Sequence, residues 1–265
     1  MEPSPPSFST PTVMLMLARF APITMERLVE ALHQRVPQAE GSAVLSSPGD
    51  GPSSIISVAG QLVALLAVDA PLPDGWLQVV QRSMHWPGAA EACTRHRAHI
   101  IVSLMAPTPD PLAGARAITA AAGALAHILR GIVLAGLWSA TVLNSAEVWA
   151  RSSVAAFAPY PDFPASLWVS QHPYNDERSG GVGVVTQGLA IFVGRELELT
   201  APASRLRALL ERAIGLTAYL IQNGPVMKDG SSFGVSTTER ISVRLRASIT
   251  FPGLEVIAGS LETIK

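Results

Sequence analysis

The sequence predicts an α+β fold, with mainly antiparallel sheets and helices packed on one face of each sheet. Apolar residues make up 48% of the 265 residues and charged residues 15%, which is enough apolar material for a substantial core. Short apolar, β-branched runs alternate with segments of helical periodicity, and residues 241–248 alternate apolar and polar side chains. This order of elements favours two ferredoxin-like halves.

The N-terminal half is predicted at residues 13–157, after a solvated tail at residues 1–12 that contains four prolines. Thr24 is the expected N-cap of its first helix, and Gly131 lies where glycine readily ends its third helix. Ala59-Gly60 is the expected turn of a hairpin. The predicted strands are residues 13–18, 55–58, 61–68, 99–105 and 132–138, and the predicted helices are residues 25–36, 91–98, 112–129 and one that starts at Asn144-Ser145.

The C-terminal half is predicted at residues 167–265, after a connection at residues 158–166 that contains three prolines. Pro202 marks the start of a helix, since proline is well tolerated in a first turn. Leucines recur in that helix at helical spacing, and Asn223-Gly224-Pro225 ends it. The predicted strands are residues 167–170, 182–192, 241–248 and 255–261.

The most distinctive stretch is residues 223–239, NGPVMKDGSSFGVSTTE, which lies between that helix and the alternating strand. A connection of this length exceeds the usual 4–6 residues or so, and long connections are often functional. A structural alternative stays open, in which Asp229-Gly230 turns the chain and Gly234 permits a bulge. The candidate binding residues are Lys228, Asp229, Ser231, Phe233, Ser236 and Glu239.

The charge balance disfavours nucleic acid as a partner, because 19 basic and 20 acidic residues leave a net charge of −1. The most apolar stretch, residues 117–146, is divided by Arg130 and Gly131, so we expect no membrane span. The N-terminus lacks the basic and apolar regions of a secretory signal, which predicts a cytoplasmic protein. The lone cysteine, Cys93, is expected to be a buried core residue.

A metal site is not expected, although His96 and His99 lie close in sequence to His85, Glu91 and Cys93. These side chains include zinc ligands, but the two histidines straddle a predicted helix–strand boundary and lack the HExxH spacing. The sequence therefore predicts neither a metal nor a cofactor.

Catalytic motifs are also missing from the sequence. It contains no GxSxG nucleophile elbow, and the many serines and Asp110, Asp162 or Asp229 do not single out a Ser-His-Asp triad. The glycine-rich run GGVGVV at residues 180–185 leads into a predicted strand and so favours a hairpin over a phosphate-binding loop.

The order of segments resembles an uncharacterised bacterial family, domain of unknown function 4261, over most of residues 13–262. The resemblance is strongest in the C-terminal half, and its most specific piece is the DGxxFGxSxxE run at residues 229–239. It implies a relative and no reaction, since the family offers no catalytic residues to transfer. Relatives are associated loosely with bacterial secretion systems, such as type VI, and with toxin immunity. The segments that carry the resemblance are TQGLAIFVGRELEL, YLIQNGPVMKDGSSFGVSTTERISVR, FPGLEVIAG, MHWPGAAEACTRHRAHIIVSLM and LWSATVLNSAEVW.

Two hypotheses of different class follow. The leading one is a non-enzymatic cytoplasmic protein that binds another protein through a sheet edge and the 223–239 segment, as an immunity or accessory protein would. The alternative is a small-molecule enzyme of hydrolase type, in which Asp229 and Glu239 act with His172 or Ser236 as acid–base groups. An enzyme requires these side chains to converge in a pocket, whereas a binding protein requires an unpaired edge strand or an exposed apolar patch.

Overall fold

The computed structural model describes residues 10–46, 53–83, 86–236 and 239–263. The described residues form two compact units, residues 10–168 and residues 169–263, which we call the N-terminal unit and the C-terminal unit. Both units combine antiparallel strand pairs with helices, so the predicted α+β class is confirmed.

A seven-stranded antiparallel sheet forms the centre of the N-terminal unit. Its order is β2-β3-β4-β5-β1-β6-β7, so the first strand lies in the interior, between β5 and β6. Leu15 of β1 pairs with Ile100 on one side and with Gly136 on the other. The strands are β1 (Thr12–Leu17), β2 (Ala43–Ser46), β3 (Ser53–Val58), β4 (Gln61–Val68), β5 (Ala98–Leu104), β6 (Val133–Trp138) and β7 (Val142–Ser145).

Six α-helices accompany this sheet among the described residues. The longest, α4, is capped by the Asp110 carboxylate, which accepts a hydrogen bond from the Ala113 N–H at 3.0 Å, and Pro111 occupies its first position. Short 3₁₀ turns cover Pro37–Ala39, Asp74–Trp76 and Ser153–Ala155. The helices are α1 (Met25–Arg35), α2 (Leu77–Arg82), α3 (Ala89–Thr94), α4 (Pro111–Ile128), α5 (Ala146–Ser152) and α6 (Ala165–Trp168).

The N-terminal unit contains the predicted ferredoxin-like order. Strands β4, β5, β1 and β6 lie side by side, α1 follows β1, and α4 connects β5 to β6. Strands β2 and β3 extend this core at one edge, and β7 extends it at the other. The turn between β3 and β4 places Ala59 and Gly60 at φ values of 48° and 79°, as a two-residue hairpin turn requires.

Side chains from helices cover both faces of the N-terminal sheet. On one face, Met16 and Leu137 pack with Trp76 and Cys93, which come from the region of α2 and α3. Gly136 lies next to Leu137 in β6, and it therefore faces the opposite side of the sheet. There it adjoins Trp149 of α5, whose Nε1–H donates to the Gly136 carbonyl at 2.9 Å.

The C-terminal unit contains a second seven-stranded sheet. Its order is β11-β12-β13-β10-β9-β8, and β14 also pairs with β12. All of its strand pairs are antiparallel except β10 and β13, which are parallel. The strands are β8 (Ser170–Asp176), β9 (Gly181–Gln187), β10 (Glu196–Ala201), β11 (Ser232–Ser236), β12 (Glu239–Ala247), β13 (Glu255–Ser260) and β14 (Glu262–Thr263), and the helices are α7 (Ala190–Val193), a 3₁₀ turn (Ala203–Arg205) and α8 (Leu206–Asn223).

Helix α8 forms where the leucine spacing predicts it. Its buried side chains include Leu209, Ala213, Leu216 and Leu220, which recur at intervals of three or four residues and so share one face. The helix contacts β8, β9 and β10, and it thereby supplies the apolar layer of the C-terminal unit.

Three predictions for the C-terminal half are wrong. Residues 165–168 form the short helix α6, and the strand starts only at Ser170. The predicted strand at residues 182–192 ends at Gln187, because Gly188 takes a φ of 108° and starts a turn into α7. A second ferredoxin-like order does not form, since α8 is the one long helix among the described residues of this unit and β10 pairs with β13 in parallel.

No helix within the described residues is both long enough and apolar enough to cross a membrane, as the sequence predicts. The apolar stretch at residues 117–146 is divided among α4, β6 and β7, with Gly131 at a φ of 81° between the first two.

Two helical glycines provide a matched test of the packing. A Cβ on Gly123 of α4 would lie 1.8 Å from the Ser153 Oγ, whereas a Cβ on Gly215 of α8 would meet nothing within 4 Å. We expect Gly123→Ala to lower the free energy of unfolding by about 1–3 kcal/mol through overpacking. Gly215→Ala is expected to raise it by roughly 0.5–1 kcal/mol, because alanine is the better helix former. Urea unfolding followed by circular dichroism measures both, and equal effects would contradict the close α4–Ser153 contact.

Candidate functional site

The polar segment predicted at residues 223–239 is a turn followed by the first strand of a hairpin. Helix α8 ends at Asn223, and Gly224 takes a φ of 73°, which glycine adopts without strain. Strand β11 covers Ser232–Ser236 and β12 starts at Glu239, so the connection after α8 runs from residue 224 to residue 231. Thr237 and Thr238, near the end of the predicted segment, lie outside the described residues.

Asp229 fixes the turn to the neighbouring strand. Its Oδ1 accepts a hydrogen bond from the Leu245 N–H of β12 at 2.8 Å, and its Oδ2 lies 3.6 Å from Nη1 of Arg244. The next residue, Gly230, takes a φ of 77° and donates its N–H to the Val243 carbonyl at 2.9 Å. The carboxylate of Asp229 is therefore used to hold the backbone of this hairpin.

Ser231 and Lys228 close the same turn through local hydrogen bonds. The Ser231 N–H and Oγ both donate to the Lys228 carbonyl, at 3.0 Å and 2.6 Å, and the Lys228 N–H donates to Ser231 Oγ at 3.3 Å. The Ser231 carbonyl accepts from the Val243 N–H at 2.8 Å. These contacts leave the Lys228 side chain exposed at the surface.

The remaining candidate residues lie on the hairpin itself. Phe233 is half-buried and pairs with Ile241, and Ser236 pairs with Glu239. The register shifts between Phe233 and Ser236. The side chains of Ser236 and Glu239 lie outside the described part of the chain, so their positions are known for the backbone alone.

Three acid–base residues of the enzyme hypothesis, Asp229, Glu239 and His172, lie far apart, whereas Ser236 pairs with Glu239. Asp229 bonds to Leu245, whereas Glu239 starts the same strand six residues earlier, a span of about 20 Å. His172 lies on β8 at the opposite edge of the sheet, with four strands between β8 and β11. The His172 Nε2 and the Ser170 Oγ form a hydrogen bond at 2.7 Å. Asp229 and His172, whose side chains the structure describes, therefore do not meet in one pocket.

Two buried carboxylates, which sequence reasoning missed, lie on β10. Glu196 is 6% exposed and accepts hydrogen bonds from Thr186 Oγ1 at 2.7 Å and from the N–H groups of Gly188, Leu189 and Ala190 at 2.8–3.2 Å. Burial raises the pKa of this carboxyl, and the four donors oppose that rise. Glu196 therefore fixes the turn that follows β9 and the start of α7.

The second buried carboxylate, Glu198, links three strands of the C-terminal sheet. It is 2% exposed, and its Oε1 accepts from Tyr174 Oη at 3.2 Å and from Ser248 Oγ at 3.0 Å. Its Oε2 lies 3.4 Å from Nη1 of Arg246, which balances the buried charge. Tyr174 comes from β8, Arg246 from β12 and Ser248 from the residue after β12.

Tyr174 reaches this carboxylate because Gly183 lets its ring cross the intervening strand. A Cβ on Gly183 would lie 2.1 Å from Tyr174 Cζ, so any larger residue at position 183 would displace the ring. Phe251 packs edge-on against Tyr174, with ring centroids 5.1 Å apart. Burial, followed by the Glu198 charge among other causes, raises the pKa of Tyr174 to about 12. The phenol therefore serves as a hydrogen-bond donor at neutral pH.

The two histidines weighed as zinc ligands bind backbone groups. His96 Nε2 accepts from the Leu72 N–H at 2.8 Å, and its Nδ1 donates to the Cys93 carbonyl. His99 Nδ1 donates to the Ala70 carbonyl at 2.7 Å. Within the described ranges no group of three metal-ligating side chains comes together.

Cys93 lies in the core, as predicted for a free cysteine. It is fully buried beside Trp76 and Leu137, and burial raises the pKa of its thiol to about 11. The thiol is therefore protonated at neutral pH and packs as a small apolar side chain.

A cleft in the N-terminal unit was also missed. We call it the basic cleft, and it has a volume of about 570 Å³. Its charged lining residues come from the end of α1, the end of α4 and α5, which are separated in sequence by up to about 115 residues. No local motif marks such a site, because only the packing of three helices brings its members together. Those members are Arg35, His127, Arg130, Glu147 and Arg151.

Replacement of Asp229 tests its backbone role. Asp229→Ala removes the acceptor of the Leu245 N–H, so we expect the Leu245 amide to exchange with deuterium about fivefold faster, which corresponds to about 1 kcal/mol. Asp229→Asn keeps an acceptor oxygen and is the matched control, with near-wild-type exchange expected. Nuclear magnetic resonance of the amide measures the rate, and an unchanged rate in the alanine variant would show that the hydrogen bond is dispensable.

Burial of Glu196 predicts a dependence of stability on pH. The folded protein holds the Glu196 proton to a higher pH than the unfolded chain does, so this contribution is present below the ordinary pKa of about 4.3. It is lost as the pH rises through the raised pKa. In Glu196→Gln this dependence disappears, and the free energy of unfolding of the wild type should fall relative to this variant as the pH rises above about 4.3. Urea unfolding at several pH values measures the difference, with exposed Glu91→Gln as the control. Parallel profiles for wild type and Glu196→Gln would contradict the assignment.

Comparison with protein-family models, curated proteins and solved structures found no match. The resemblance to domain of unknown function 4261 therefore stays a prediction.

Proposed function

We propose that the protein is a non-enzymatic binding protein that receives an extended segment of a protein partner along the outer edge of β11. The observation that carries this proposal is the unpaired edge itself. Within the described residues, β11 pairs with β12 on one side and ends the sheet on the other. An exposed sheet edge offers a row of N–H and C=O groups to which a partner strand can add.

The hydrogen-bond pattern indicates which groups point outward. Val243 of β12 bonds to Gly230 and Ser231, and hydrogen-bonded positions alternate along an antiparallel pair. Ile241 and Phe233 are then the next bonded pair, and Ser232 directs its N–H and C=O away from β12. Ser232 is exposed, which leaves these groups open to a partner.

The edge of β11 lacks protective residues that other edges carry. Its sequence, SFGVS, contains no lysine and no proline. At the opposite edge of the same sheet, β8 contains Pro173, which has no N–H to offer a partner strand. The register shift of β11 lies beyond Phe233, so Ser232 and Phe233 keep regular pairing.

The turn before β11 favours binding by holding the edge in one conformation. Asp229 and Ser231 tie it to β12, so a partner would not have to order a loose loop. Val226 is 47% exposed in the same connection and offers an apolar contact, and Lys228 offers a cation. A protein segment with an apolar and an acidic residue would match this surface.

The biological role rests on the family resemblance and is likewise a proposal. An immunity or accessory protein of a bacterial secretion or toxin system acts by binding another protein in the cytoplasm, which fits an edge-binding mode. The hydrolase alternative receives no support from the geometry, because Asp229, Glu239 and His172 are held far apart.

The test compares variants at one position, with the protein expressed in its own cells and its partners identified after affinity purification. Ser232→Pro removes the outward N–H, and Ser232→Ala removes the side chain alone as the matched control. We expect Ser232→Pro to reduce the recovery of a specific partner at least tenfold, which corresponds to about 1.4 kcal/mol, while Ser232→Ala retains it. Circular dichroism checks that both variants fold.

The purified complex then gives a second measurement. Deuterium exchange at the Ser232 and Gly234 amides should slow when the partner is added, because these groups become hydrogen-bonded. A partner retained equally by Ser232→Pro, protection confined to another surface, or no specific partner at all would overturn the proposal.

A further inference from the structure

The basic cleft of the N-terminal unit concentrates positive charge in a chain that is nearly neutral overall. Three arginines and one glutamate line it, so its fixed charges sum to +2, whereas the whole chain carries −1. Among the described residues Glu147 forms no ion pair with Arg130 or Arg151. The arrangement is thus complementary to an anion of about two negative charges.

One of the three arginines is fixed in place. Arg35, at the end of α1, is half-buried, and its Nη2 donates to the Ala150 carbonyl of α5. Burial lowers the pKa of this guanidinium, which stays charged at neutral pH. A guanidinium held by one bond still has further donors for oxygen atoms of a ligand.

The positive charges of the cleft also act on His127, in the last turn of α4. The His127 side chain is exposed, and slight desolvation, followed by the positive charges of Arg35 and Arg130, lowers its pKa. The other charged groups that line the cleft are Glu147 and Arg151, both on α5. A neutral imidazole at neutral pH can donate one hydrogen bond to an anion and adds no repulsion to the site.

Small side chains create the volume of the cleft. Ala126, Ala146, Ala150 and Gly131 form much of its lining, and Val154 adds an apolar surface that is 46% exposed. A volume of about 570 Å³ exceeds what a bare ion needs and falls in the range of about 300–1,000 Å³ typical of small-molecule sites. The cleft therefore has room for an organic group beside the anion.

Helix dipoles account for the position of each arginine near the end of a helix. They do not account for the fact that all three arginines line the same cleft. Arg35 and Arg151 lie in the last turns of α1 and α5, where cations are stabilised, and Arg130 follows the end of α4. Each residue could satisfy that preference while pointing into solvent. Instead all three line one cleft, where their mutual repulsion has to be offset.

We propose that the basic cleft binds a small molecule that carries a dianionic phosphate group. Arg35, Arg130 and Arg151 contact the phosphate oxygens, and the alanines and Val154 accommodate the organic part. Arginine suits this role because its planar fork matches phosphate oxygens in pairs. This site is separate from the β11 edge and does not depend on the function proposed for it.

The test titrates the full-length protein with inorganic phosphate, phenyl phosphate and succinate at pH 7.5 and constant ionic strength. The probe is the His127 imidazole resonance, because a bound dianion raises the pKa of a neighbouring imidazole and shifts its signal. We expect a saturable shift with inorganic phosphate and tighter binding of phenyl phosphate, whose ring fills the alanine-lined space. Succinate should bind more weakly than either phosphate.

Variants distinguish three effects on binding: a contacting arginine, the volume of the cleft and the net charge of the protein. Arg130→Gln and Arg151→Gln should each weaken phosphate binding about tenfold or more, since each removes a charge-assisted contact. Ala146→Leu keeps every charge and should remove the advantage of phenyl phosphate over inorganic phosphate. Arg207→Gln, on the exposed surface of α8, is the matched control for loss of one charge and should leave binding unchanged.

Three outcomes would overturn the proposal. A shift that grows without saturation would mean an adventitious ion only. An equal loss in Arg207→Gln and Arg130→Gln would mean a response to net charge. Tighter binding of succinate than of phosphate would assign the cleft to dicarboxylates instead.

Discussion

The hydrogen bond from the Leu245 N–H to the Asp229 carboxylate is the constraint on which the proposed binding surface depends. It fixes the turn after α8 against β12, and the bonds of Val243 to Gly230 and Ser231 extend that attachment to the start of β11. These bonds attach the polar segment to the sheet, so that its residues 232–236 form the edge strand β11. Its outer backbone groups are therefore held in a regular, unpaired row.

Buried carboxylates elsewhere in the same sheet follow a similar logic. Glu196 and Glu198 would be costly inside the unit without partners, and each is surrounded by donors from neighbouring segments. Glu196 sets the turn before β10, and Glu198 connects Tyr174 with Arg246. These polar contacts fix the geometry of the sheet, whereas the apolar face of α8 covers β8, β9 and β10. The three arginines of the basic cleft take no part in this network.

The sequence predicts the elements that local pattern controls. Helix α8 follows its leucine spacing, the β3–β4 hairpin follows Ala59-Gly60, and α4 follows its alanines. Strand β10 was missed, because Glu196 and Glu198 resemble surface residues until their distant donors are known. The binding role of residues 223–239 stays a prediction. Asp229 was weighed as a binding or acid–base residue, whereas its carboxylate accepts a hydrogen bond from Leu245, sixteen residues away. The basic cleft has no local signal, since packing alone assembles it.

The central claim is that the turn at residues 226–231 and the edge strand β11 are both rigid in the free protein. Backbone ¹⁵N relaxation tests this most directly, because it reports order residue by residue without any partner or substitution. The account predicts order parameters of about 0.85 from Val226 to Ser236, equal to those of α8. Values below about 0.6 across the segment would show a flexible loop, and they would contradict both the role of Asp229 and the proposed edge-binding function.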